Sequence, residues 1–354
     1  MPSDSRIAET LIWKPVAWCK MQHFGIQTAN ALGLQGSRYF PNQFARQLRA
    51  QRQFGNTVSV ERLRTRGFRS PIHRGSRASR GRAAIQHITR ASMIGLFAES
   101  PLLGTLAVDM GIQWVAFAIA AFLQTEKFYD LTGSLTFISL AIGTLFAVGS
   151  LAPRQILVTG MVVLWALRLG TFLVIRIAKD GKDSRFDEAK KNPPKFFVFW
   201  TLQGIWVWVT ALPLWLLNSS PGSPAAFSVL DGVGLLLWVV GFAIEAAADF
   251  QKFRFKLKDE NKGRFIQSGL WKYSRHPNYF GEIMMWWGVY AASVTSLSFP
   301  AAAGAMASPL FVMGLLLYVS GVPMLEASAD ERWGDDPEYQ EYKRQSRVIL
   351  PLPK

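Results

Sequence analysis

The sequence has 354 residues, half of them hydrophobic, with 13 Trp, 25 Phe and a formal net charge of +15. That charge is uneven: residues 1–98 carry 16 Lys and Arg against 3 Asp and Glu, whereas residues 99–354 carry 23 against 21. The lone cysteine, Cys19, excludes an internal disulfide and any zinc cluster built on several thiolates.

Within residues 1–98 the apolar stretch LIWKPVAW is too short for a secretory h-region or a membrane span. The runs ERLRTRGFRS and HRGSRASRGR are Arg-rich and acid-poor, the composition of an organelle transit peptide. A disordered, solvated tail fits the same composition. A nucleic-acid-binding arm fits worse, because the basic residues lack interleaved aromatics and a fold to present them. His23, His73 and His87 have no ligand-like spacing. The chain divides into this basic extension, 1–98, and a membrane domain, 99–354.

From about residue 105 onward, seven stretches approach the twenty apolar residues that a span requires, near 105–124, 132–151, 156–176, 196–217, 228–248, 280–298 and 304–325. The expected fold is therefore all-α, a polytopic bundle of about seven transmembrane helices. Trp114, Trp165, Trp200, Trp206, Trp208, Trp215, Trp238, Trp286 and Trp287 fit interfacial belts or bundle packing. The loops after the second, fourth and sixth stretches hold one charge, Arg154, and those after the others are rich in Lys and Arg. Positive-inside bias puts the charged loops on the cytoplasmic side, or its organelle equivalent. The N-terminus then faces the other side, where a strongly basic arm breaks the rule unless it is an import signal. Arg168, Gln203 and Glu245 fall inside spans, where helix–helix bonding or snorkelling is the simplest role.

Glu245, Asp249, Lys252 and Lys256 are spaced i, i+4, i+7, i+11 and share one helix face. Exposed, such a stripe would be i,i+4 salt bridges on a solvated face. At a membrane surface, its acids can accept from an amide or a ribose, and its lysines can meet phosphate. Asn261, Gly263 and Gly269 then make a surface turn that includes Arg264. The segment SRHPNYFGEIMMWW follows. Pro277 starts a helix, Asn278 and Glu282 share a face, Tyr279 lies between them, and Arg275 and His276 sit where the helix dipole favours anions. No GxGxxG motif follows a strand, so a nicotinamide cofactor would not be held by a Rossmann domain. The histidines do not pair as HxxxH or HxxH, so no metal site is expected.

These segments, with KFYDLTGSLTF, WALRLGTFLVIRIAKDGKDSRFD, FWTLQGIWVW, GFAIEAAADFQKFRFK and the tail ERWGDDPEYQEYKRQSRVILP, resemble the steroid 5-alpha-reductase superfamily, and more closely its DUF1295 branch, over residues 126–354. The resemblance implies a seven-helix bundle that holds NADPH at its cytosolic side and passes hydride to the β-carbon of an enone. It implies that Asp249 and Lys256 belong to the cofactor helix, that Asn278 and Glu282 grip the nicotinamide end, and that Tyr339 and Tyr342 lie in a tail covering the cofactor. Glu245 stands where the steroid enzymes carry an amide. The Tyr and Glu that polarise the steroid ketone there have no matching motif here. Glu126, Tyr129 and Asp130 are the nearest polar candidates, by position only. The same RHPxYxG element occurs in isoprenylcysteine methyltransferases, where it binds S-adenosylmethionine; Glu326, Glu331 and Arg332 could serve that chemistry.

The sequence thus leads to an NADPH-dependent membrane reductase of a C=C bond in a lipid, sterol or isoprenoid enone. The expected cofactor residues are Glu245, Asp249, Lys252, Lys256, Arg264, Arg275, His276, Asn278, Tyr279, Glu282, Tyr339 and Tyr342. The expected partners are the lipid bilayer and a small hydrophobic substrate, without nucleic acid, in the endoplasmic reticulum or a plastid or mitochondrial membrane. The alternatives are a membrane methyltransferase and a non-enzymatic scaffold.

Overall fold

A computed structural model describes residues 100–148, 151–183, 186–220 and 226–354; the basic extension 1–98 lies outside the described residues. Helix α1, Pro101–Leu123, starts on a proline whose missing N–H costs nothing in a first turn and stops at Gln124, which turns left-handed at φ 52°. Helix α2 is Tyr129–Val148. Helix α3, Pro153–Asp180, is closed at its start by Gln155, whose Oε1 accepts from the Ala152 amide at 3.1 Å, and at its end by Gly181 at φ 75°. Helix α4, Pro193–Thr210, is capped by Asn192, and helix α5, Leu212–Asn218, leaves it at a 58° bend. Pro213, in the first turn of α5, cannot donate back to α4, which accounts for the break.

Helix α6, Val229–Leu257, is the longest at 29 residues and opens on a reciprocal Ser228–Asp231 capping box. At 1.5 Å per residue it spans roughly 43 Å against a hydrocarbon core of about 30 Å, so part of it projects past the membrane. Helix α7, Pro277–Val294, is antiparallel to it, and the two form the most extensive helix contact in the bundle. Short helices α8, Phe299–Ala305, and α9, Ala307–Gly314, lead through a π-helical turn, Leu315–Val319, to α10, Val322–Trp333, and α11, Pro337–Gln345. Among the described residues the only extended pairing is one parallel bridge, Ser274 to Arg347.

Among the described residues five helical runs are long and apolar enough to cross a membrane, or six if bent α4–α5 counts as one. The chain is an all-helical, multi-pass membrane bundle. The stretch expected at 280–298 is helix α7, and it differs from the others. Ten of its eighteen residues are buried, and Asn278 and Glu282 dilute its apolar character, so it is an interior helix rather than a lipid-facing one. Two glycine contacts draw it against α6. A Cβ on Gly241 would lie 2.6 Å from the Gly281 carbonyl oxygen, and one on Gly288 would lie 2.6 Å from that of Gly234. Only glycine permits such an approach of two backbones.

The core is aromatic. Phe137, Trp165, Trp206 and Trp286, from α2, α3, α4 and α7, meet at centroid distances of 4.9–5.0 Å for Phe137–Trp165, Phe137–Trp206 and Trp165–Trp286. Most of the tryptophans therefore pack the bundle; of those expected in interfacial belts, Trp114 is one that stays exposed. Gln203 is helix–helix glue, donating to the Tyr129 carbonyl at 2.8 Å. Arg154, counted in the sequence as a loop charge, is buried in the first turn of α3. Its Nε and Nη2 each meet an Asp231 oxygen at 2.7 Å, so the far end of the bundle presents a neutral pair instead of a lone cation.

Candidate functional site

Two features at the end of α6 and the start of α7 build the site. The first is a partly buried centre between α3, α6 and α7, with side chains 18% exposed at Arg168, 16% at Asp249 and 8% at Glu245. The glycine contacts bring the α7 backbone so close that a Cβ on Gly281 would lie 2.7 Å from the Glu245 amide nitrogen. Arg168, from the middle of α3, reaches across to α6. Both of its terminal nitrogens donate to Asp249 Oδ2 at 3.1 Å, and Nη2 also pairs with Glu245. Asn278 Nδ2 donates to the other Asp249 oxygen at 3.2 Å. Glu282, one turn along α7, interacts electrostatically with Glu245, Arg168 and Asp249 but has no hydrogen bond among the described residues. Three carboxylates therefore surround one guanidinium. Glu245 Oε2 and Arg168 Nε are buried there without a hydrogen-bond partner. Unsatisfied buried polar atoms are uncommon and ask for a ligand or water.

The second feature is a pocket of about 180 Å³ one turn further out, between the α6–α7 connection and the tail helices. Lys252, Lys256, Arg264, Arg275 and Arg332 supply cations to it, and Phe255, Phe265, Trp271, Trp333, Tyr339 and Tyr342 supply aromatic walls. Lys252 lies 4.3 Å over the Trp271 ring, and the Trp271 indole is fixed by donating to the Ala248 carbonyl at 2.9 Å. Phe265 packs against Trp333, Tyr339 and Tyr342 at 5.7, 5.2 and 5.5 Å. Burial pushes both tyrosine hydroxyls above the ordinary range, so they are neutral donors; Tyr342 donates to the Trp271 carbonyl at 2.7 Å.

The tail is held by Glu326 of α10. Arg275 Nε reaches its two oxygens at 3.0 and 3.1 Å, and His276 Nε2 lies 2.8 Å from Oε1. Arg275 Nη1 donates further to the carbonyls of Lys343 and Ser346, and the Arg275 amide donates to Arg347. Burial lowers the His276 pKa below 6.5, against the pull of Glu326 upward, so the ring is neutral and its Nε2–H donates. Tyr279 stacks on the imidazole at 5.5 Å.

The sequence candidates thus fall into three places. Lys252, Lys256, Arg264, Arg275, His276, Tyr339 and Tyr342 line the pocket, and Tyr279 lies behind it, stacked on His276. Glu245, Asp249, Asn278 and Glu282 belong to the partly buried centre. Glu126, Tyr129 and Asp130 form a separate clamp on the end of α3, the α3–α4 loop and α4. There Asp130 pairs with Arg176 at 2.5 Å, Glu126 with Lys190 at 2.6 Å, and the Tyr129 hydroxyl donates to the Phe199 carbonyl at 2.8 Å. Arg275 is a tail clamp as well as a pocket cation. Sequence reasoning missed the role of Arg168; a charge in the apolar run WALRLGTF was the available signal. Among the described residues no cluster has metal-ligand character.

A family model described as "Protein of unknown function (DUF1295)" matches residues 116–346, which include every residue of the centre and the pocket. The chain is 25% identical to an uncharacterized protein of Schizosaccharomyces pombe over 170 residues, 40% of this chain and 49% of that protein. It is 26% identical to the steroid 5-alpha-reductase DET2 of Gossypium hirsutum over 119 residues, 34% of this chain and 41% of that one. These matches span half or less of the length of either relative. No solved structure matches.

Proposed function

The chain belongs to the DUF1295 family, and from that premise we propose that it is an integral-membrane, NADPH-dependent reductase of a C=C bond conjugated to a carbonyl in a lipid, sterol or isoprenoid substrate. One observation carries this reading: along α6 and α7 an acceptor-rich, partly buried centre gives way, within one helical turn, to a cation-lined, aromatic-walled pocket. A phosphorylated dinucleotide has the same polarity. Its phosphates need cations, its adenine needs aromatic faces, and its ribose hydroxyls and carboxamide need acceptors. Lys256, Arg264 and Arg332 would meet phosphate, and Asn278, Glu282 and Glu245 would hold the nicotinamide end. Bound there, NADPH supplies the hydride. The similarity to a steroid 5-alpha-reductase supports the same class of chemistry without naming a substrate.

The pocket, at about 180 Å³, is smaller than the roughly 300 Å³ at which small-molecule sites begin, so it would take only part of a dinucleotide, with the nicotinamide end in the neighbouring centre. The methyltransferase alternative would use Glu326 for S-adenosylmethionine. That carboxylate already serves Arg275 and His276, which leaves it poorly placed to receive a ligand.

Thermal unfolding of the purified full-length protein, with NADPH or with S-adenosylmethionine, separates the two. Stabilisation by NADPH alone is the expected result. Stabilisation by S-adenosylmethionine and none by NADPH would replace this reading with the other.

A further inference from the structure

A reductase of an enone needs a donor where negative charge develops on the substrate's carbonyl oxygen. Tyr129 already donates to the Phe199 carbonyl, and Asp130 and Glu126 pair with Arg176 and Lys190, which leaves room for a donor from elsewhere. The partly buried centre contains one. Arg168 commits both terminal nitrogens to Asp249 and Glu245, which fixes the guanidinium plane, and Phe242 lies under it at 5.6 Å. Its third nitrogen, Nε, is buried with no acceptor among the described residues. A fixed N–H that the fold leaves without a protein acceptor is preorganised for an oxygen that arrives with a ligand.

We propose that Arg168 polarises the substrate, with its Nε–H donating to the carbonyl oxygen of the enone. This rests on the reductase reading above. Because Glu245 and Asp249 already share the guanidinium charge, Arg168 acts through a directed N–H rather than as a free cation. The position suits the chemistry, since Asp249 links Arg168 directly to Asn278, a residue assigned to the nicotinamide end. With NADPH bound, its hydride would go to the substrate's β-carbon, the C=C electron pair would become the Cα=C bond of an enolate, and the carbonyl π pair would move onto oxygen against the Arg168 N–H. A proton from water would then complete the α-carbon as the carbonyl re-forms, leaving hydroxide and oxidised NADP. The substrate class is then a neutral, apolar molecule with one conjugated carbonyl. A substrate carboxylate would face Glu245, Asp249 and Glu282 and be repelled.

The test is the carbonyl stretch of bound probes labelled with ¹³C at the ketone, measured with oxidised NADP so that nothing turns over. The probes are β-ionone, a long-chain alk-3-en-2-one and a 3-keto-4-ene steroid. In the wild-type protein the band of at least one probe should move to lower frequency than in an apolar solvent. Arg168→Lys keeps a cation for Asp249 but loses the Nε–H. It should hold NADPH within about threefold of wild type, abolish the shift, and lower the turnover of whichever probe is reduced by about a hundredfold, with KM little changed. If Arg168→Lys does not fold, the double variant Arg168→Met/Glu245→Gln removes both charges together, places no N–H at that position and should likewise abolish the shift. An equal shift in either variant, an unshifted band in wild type, or failure of all three probes to bind would overturn the role of Arg168. Loss of NADPH binding by the wild type would instead sink the reductase reading, whatever the probes show.

Discussion

Two arginines on the same helix, Arg154 buried and Arg168 partly buried, have opposite surroundings. Arg154, in the first turn of α3, meets one carboxylate in a fork. Its remaining donors go to the Ser296 hydroxyl at 2.5 Å and the Ala226 carbonyl at 3.0 Å, while Asp231 also accepts from Ser228. Arg168, four turns on, meets two carboxylates with a third nearby, and both it and Glu245 keep an unpartnered buried atom. A saturated pair fixes helices and has little capacity left for a ligand. An unsaturated one is costly in an empty protein and is retained where something binds.

The largest expected effect breaks the saturated pair. Arg154→Ala strands Asp231 in the interior and should cost about 3–5 kcal/mol of stability, seen as a lower unfolding temperature in detergent. The fraction that still folds should keep its NADPH affinity, because Arg154 lies at the far end of the bundle. At the other centre the order reverses. Asn278→Ala should weaken NADPH binding roughly tenfold, with a smaller loss of stability from its single bond to Asp249. Lys256→Ala, at an exposed pocket cation, should weaken NADPH only a few-fold, with the deficit shrinking at high salt.

The smallest effect is a pH dependence at the tail clamp. His276 has a folded pKa below its ordinary 6.5, so the unfolded chain takes up a proton first as pH falls. The stability is present above about 6.5 and declines as pH drops through that value toward the folded pKa. Unfolding temperatures measured from pH 8 to pH 5 should fall more in wild type than in His276→Gln, in which Arg275 still holds Glu326. An identical slope in both would remove His276 from the clamp.

Much of this comparison was readable in the chain. The stripe from Glu245 to Lys256 follows from helical spacing, and helix α6 is unbroken through it, so its acids and bases do divide between centre and pocket. The polar start of α7 was equally plain. What stayed hidden depends on long-range contacts. Arg168 lies 81 residues from Asp249, and no local pattern reveals which helix an intramembrane charge will face. The same holds for Glu326, 51 residues from Arg275. Helix α7 read as a span because MMWWGVYAA is apolar, but an interior helix is apolar for another reason: it is surrounded by protein.

Glu282 offers the most direct test. It has no hydrogen bond to lose among the described residues, so a change there reads the ligand rather than the fold. The measurement is a titration of NADPH, followed by dihydronicotinamide fluorescence, into wild type and Glu282→Gln, with unfolding temperatures of both ligand-free proteins alongside. Saturable binding in wild type, weakened about tenfold in a variant that is no less stable, is the predicted result. Equal affinity in the two proteins, or no NADPH binding by either, would contradict the assignment of the unsaturated centre to the nicotinamide end.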